Sequence, residues 1–108
     1  MEQNTLKEFY YDFLLQVYEI LEDDIAQFYH ELEKTLGYDK EQGQGMEFNT
    51  QRIIFLLFFY KELVNFMTRL FETEKVLTSE KIKEHFTQWR NNQKILEEFD
   101  EFIRVSQK

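Results

Sequence analysis

The chain has 108 residues, a formal net charge of −8, and 43% hydrophobic against 31% charged side chains, a globular balance rather than a disordered one. That length fits one domain, residues 1–108, whose folding removes about two-thirds of the unfolded surface from water. With no cysteine and no proline, the chain excludes disulfides, thiolate zinc sites and thiol catalysis, and leaves helices free to run long.

The core palette is aromatic: twelve Phe, six Tyr and one Trp stand beside a single alanine, Ala26. Rings that bury about 150–250 Å² each hold a small bundle together with few residues. The N-terminal residues carry no basic segment leading into an apolar run, so no secretory signal is expected. The longest apolar run, Ile53 to Tyr60, is eight residues, well short of the roughly 20 that cross a bilayer. The expectation is a cytoplasmic protein with no membrane partner. Richness in Phe, Lys, Glu, Ile and Asn is what an AT-rich genome produces, in keeping with a phage or mobile-element origin.

The first predicted helix covers Thr5 to Leu36, with Thr5 and Glu8 at the spacing of a capping box. Its apolar positions fall into three rows spaced by eleven: Leu6, Val17, Phe28; Tyr10, Leu21, Leu32; and Leu14, Ile25, Leu36. Eleven residues make three turns at about 3.67 per turn, so the stripe runs nearly straight along the helix. Gly37 is placed to end it as a left-handed C-cap. Residues 1–36 hold nine acidic and two basic side chains, which makes this the acidic element of the chain. Glu19, Glu22, Asp23 and Asp24 are its candidate partner-binding face, and Glu22-Asp23-Asp24 is also a place where the helix can bend. Such a surface repels nucleic acid and anionic lipid and attracts basic proteins; its bland alternative is that the acids only keep a Phe-rich chain soluble.

Residues 37–48 read as a loop, long for a helix–helix connection. A second helix is expected from Asn49 to Thr73. It is apolar on every side through Ile53–Tyr60, a pattern that demands burial all round. Phe55, Phe58, Phe59 and Phe66 are therefore candidates for an oligomer or partner interface, against the alternative that the rest of the chain covers them. The third helix opens at Thr78, with Leu77 and Ile82 at the spacing of a hydrophobic staple. Ile82, Phe86, Trp89, Leu96, Phe99 and Ile103 carry its stripe. Arg90-Asn91-Asn92-Gln93 interrupts that stripe, and one continuous helix to about Val105 is preferred over two hinged ones.

The fold expected is all-α: an antiparallel three-helix bundle of long helices, or four if the first or third helix is broken, dimerising through the second.

Chemistry is sparse. Neither His30 nor His85 has a glutamate three residues earlier, as helix-borne di-iron pairs require. Ser79 and Ser106 lie at helix ends, and Gly43-Gln44-Gly45 lacks the remainder of a phosphate-binding loop. The carboxylates Glu97, Glu98, Asp100 and Glu101 read as a solvated face. Lys81, Lys83, Arg90 and Lys94 beside Trp89 give residues 80–94 only +2, a thin case for nucleic acid on an acidic chain. No catalytic residue, metal site or cofactor is expected. What remains is a non-enzymatic interaction protein, a small inhibitor, immunity or adaptor protein with a basic protein partner. The alternative is a bundle that holds an apolar small molecule between aromatic walls, oriented by Tyr60, Asn65 and Trp89.

Overall fold

A computed structural model describes the backbone of residues 2–39, 45–73 and 78–106, and the side chains of 8–39, 49–72 and 78–106. Four α-helices follow one another: α1 (Glu2–Leu36), α2 (Gly45–Thr73), α3 (Ser79–Asn92) and α4 (Ile95–Ser106), with no strand among the described residues.

α1 begins before Thr5, so that residue lies within the helix rather than capping it. At its other end Gly37 takes φ +81°. Its amide donates to the Lys34 carbonyl at 3.2 Å, and the Tyr38 amide donates to the Glu33 carbonyl at 2.8 Å. These are the two bonds of a Schellman stop, which only a residue free of a Cβ makes without strain. The turn delivers the Tyr38 ring into the core against Phe55 and Phe99.

α2 starts four residues earlier than its Asn49 cap predicts, at Gly45. It runs antiparallel to α1, since Tyr10 meets Thr68 and Phe71, Tyr29 meets Phe55 and Phe59, and Glu33 meets Arg52. Thr78 caps α3 with its hydroxyl oxygen accepting from the Lys81 amide at 3.2 Å. The expected staple partner Leu77, the 74–77 connection and residues 40–44 of the loop lie outside the described residues.

The expected single third helix is two helices. Gln93 is extended (φ −78°, ψ 135°) and α4 restarts after Lys94, where the Glu98 amide donates to the Lys94 carbonyl. The reason is phase. An unbroken helix that buries Ile82, Phe86 and Trp89 would next turn Gln93, Leu96 and Asp100 inward at 3.6 residues per turn. The apolar residues instead sit at Ile95, Phe99 and Ile103, and the two non-helical residues Gln93 and Lys94 rotate them back onto the core. Asn91 and Asn92, poor helix formers, lie at the break.

α3 lies mainly on α1 and α4 on α2. The core is a chain of rings. Phe28 packs against Phe59, Phe86 and Trp89, and Phe66 against Phe86 and Trp89. Phe99 stands edge-on to Phe55 at 4.9 Å. Arg90 caps this stack from outside, with its guanidinium 5.2 Å from the Phe28 centroid and ion-paired to Glu31. The radius of gyration is 16.2 Å, against roughly 13 Å for a compact chain of this length.

Candidate functional site

α3 and α4 cover one side of the α1–α2 pair, and the opposite side stays open. On α1, Phe28 and Glu31 turn toward α3. At 100° per residue Tyr11, Leu15 and Tyr18 fall on the other flank, and all three are exposed. On α2, Phe55, Phe58 and Phe66 turn toward α3 and α4. Ile53, Leu57, Tyr60 and Val64, spaced four, three and four apart, occupy the far flank and are also exposed. Leu57 retains 64% of its surface and Leu15 61%, values that belong to free side chains.

A cleft lies between the two helices on the side of Ile53. Tyr29 and Glu33 from α1 and Asn49, Arg52, Ile53 and Leu56 from α2 line a cleft of about 510 Å³. Its Glu33 carboxylate is largely buried and accepts from Arg52 at 3.5 Å, with His30 Nδ1 at 3.9 Å. The Tyr29 ring lies parallel to Phe55 at 5.7 Å and edge-on to Phe59 at 4.9 Å. Burial first, and the Glu33 carboxylate second, push the Tyr29 hydroxyl up to about 12, with Arg52 opposing them. The phenol therefore stays protonated and polar at neutral pH.

An apolar belt results, running from Tyr11, Leu15 and Tyr18 on α1 across to Val64, Tyr60, Leu57 and Ile53 on α2. Its α1 edge is acidic: Glu8, Asp12, Glu19 and Glu22 are exposed and lie at or just behind the belt on the helical wheel. Along α1 the only basic side chain among those described is Lys34, on the back of the helix. The α2 edge is different, carrying Thr50, Lys61, Asn65 and Glu72 with no net charge.

The residues singled out from sequence divide accordingly. Glu19 and Glu22 border the belt, Asp23 lies behind them in the row of Asp12, and half-buried Asp24 lies on the flank toward α3. The four do not form one face. Phe55, Phe59 and Phe66 are inside the chain's own core, at 0%, 1% and 6% exposure, and Phe58 is half-buried against Phe99 and Phe102. The other helices cover these rings, so the apolar surface that α2 offers to another molecule is the stripe from Ile53 to Val64. Sequence reasoning passed over that stripe because an all-round apolar helix hides which side faces in. Of the residues expected to orient a small molecule, Trp89 is packed between Phe28, Phe66 and Phe86, while Tyr60 and Asn65 are on the surface.

Among the described residues no three His, Asp or Glu side chains converge as metal ligands, and no helix is long and apolar enough to cross a membrane. No protein-family model, curated protein or solved structure matches the chain.

Proposed function

We propose that the protein acts without catalysis, by binding another protein through the open face of α1 and α2, as a small acidic helical inhibitor, immunity or adaptor protein. The observation that carries this reading is the belt of seven exposed large apolar side chains on one face. Monomers rarely leave several hundred Å² of contiguous apolar surface open, and such patches mark interaction sites. The carboxylates along one edge favour a basic partner and speed its approach. A cytoplasmic setting and a phage or mobile-element origin belong to the same reading.

Self-association, expected from the apolar excess of α2, has the same stripe to use now that Phe55, Phe59 and Phe66 lie inside. Two copies each carrying −8 repel one another. The heterologous partner is therefore the stronger form of the proposal.

The test is co-purification from the native host at low and high salt, with wild type beside a Glu19→Lys, Glu22→Lys, Asp23→Lys, Asp24→Lys variant. A stoichiometric partner lost in the variant, with helicity unchanged by circular dichroism, supports the reading. A partner retained by it removes the acidic helix from the interface, and recovery of no partner from either protein counts against the function itself.

A further inference from the structure

We infer that the open face receives an amphipathic helix of the partner, about five turns long, with one apolar stripe and lysine or arginine along a single edge, the edge that lies over α1. This rests on the protein-binding reading and specifies its partner's chemistry.

The shape follows from the belt. Tyr10 lies level with Thr68 and Phe71, and Tyr29 level with Phe55 and Phe59. The stretch from Tyr11 to Tyr29 thus measures the belt, about 27 Å at 1.5 Å per residue. The stripe passes from α1 to α2 midway along this length. A strand would meet no exposed backbone edge here, because every described element is a helix. A helix laid along the α1–α2 groove sets side chains at i, i+3, i+4 and i+7 against such a stripe, the usual arrangement for helix-in-groove recognition. At one end the cleft beside Tyr29, Ile53 and Leu56 is roomy enough for one large anchoring side chain.

The charge is what selects the occupant. The α1 edge carries Glu8, Asp12, Glu19 and Glu22, whereas the α2 edge carries Lys61 and Glu72, which offset one another, with neutral Thr50 and Asn65. The α2 edge, with no net charge, offers a basic group nothing to pair with, and a second copy of this chain would bring −8 against −8. A helix with its basic groups on the α1 side matches both edges.

The experiment is a titration of ¹⁵N-labelled protein with a synthetic 18-residue peptide. It has a leucine stripe, lysines along one edge and glutamine elsewhere; a control peptide has the same composition with the stripe scrambled. Amide shifts confined to residues 11–22 and 52–64, with binding about tenfold or more weaker for the scrambled peptide and for Leu57→Lys, support the inference. Glu19→Lys with Glu22→Lys should weaken binding, while Glu97→Lys with Glu101→Lys, the same change in net charge on α4, should not. Equal binding of both peptides reduces the effect to general acidity and overturns the inference. Shifts centred on Phe102 and Val105 of α4, or no binding at millimolar peptide, also overturn it. A protein that sediments alone as a dimer and becomes monomeric on Leu57→Lys assigns the face to a second copy and overturns it as well. These failures leave the broader reading standing wherever the native-host experiment yields a partner, so the two are separable.

Discussion

The two halves of α1 carry the same apolar rows and meet different fates. Within each eleven-residue row the later members are buried or nearly so: Val17 and Phe28, Leu21 and Leu32, Ile25 and half-buried Leu36. The earlier members Tyr10 and Leu14 are only half-buried, and no described side chain before Val17 is fully covered. The difference is not hydrophobicity but company. From Val17 onward α1 is flanked by α2, α3 and the Tyr38 turn, whereas before it, among the described residues, the end of α2 approaches through Thr68 and Phe71. A repeating pattern in sequence specifies what a helix face wants, and the number of neighbouring elements decides how far it is satisfied.

The sharpest test of that contrast is a matched truncation. Phe28→Ala, which removes a ring touching Phe59, Phe86 and Trp89, should cost about 3–5 kcal/mol in urea denaturation. Phe9→Ala on the open half should change stability by less than about 0.5 kcal/mol, and a comparable loss there would erase the distinction. Gly37→Ala should cost about 1–2 kcal/mol. Its φ of +81° crowds a Cβ against its own backbone although nothing else lies within 4 Å, and a neutral result would mean the turn relaxes. By hydrogen exchange, amides of residues 12–16 should be about tenfold or more less protected than those of 21–32, reflecting local opening of the less covered half.

Two smaller effects probe the cleft in the covered half. The Tyr29 phenol is raised from 10.0 to about 12 on folding. Its contribution to stability is therefore complete below pH 10 and is lost as pH rises from 10 to 12. Denaturation of Tyr29→Phe over this range should lack that component of the decline, and a curve parallel to wild type would sink the assignment. Arg52→Gln should lower stability by no more than about 1 kcal/mol, since its bond to Glu33 is 3.5 Å long and Arg52 is two-fifths exposed.

Much of this was legible in the chain itself. The all-α class follows from periodicity without proline, the stop at Gly37 from its place after Leu36, and the start of α3 from Thr78. The break at Gln93 was also written there, as a slip in phase between Trp89 and Ile95, but polar interruptions within helices are common enough to mask it. The inner side of α2 was not legible. Phe55 and Phe59 differ from Ile53 and Leu57 in direction rather than in kind, and the docking of α1, α3 and α4 picks between them. The acidic cluster failed as a face for a related reason: Glu22, Asp23 and Asp24 are consecutive, and neighbours on a helix point 100° apart.

The two-residue link at Gln93 and Lys94 gives the fold an order in time. α3 seats on α1, whereas α4 closes over Phe55 and Phe58 of α2 and over the ring of Tyr38. During synthesis from the N-terminus, α1, α2 and α3 all precede α4, so those three rings lack the cover of α4 until Phe99 has been made. For that interval a nascent chain presents one sticky aromatic surface that the finished protein hides and another, the belt, that it keeps. A chaperone that protects the first of them would have to leave as α4 docks.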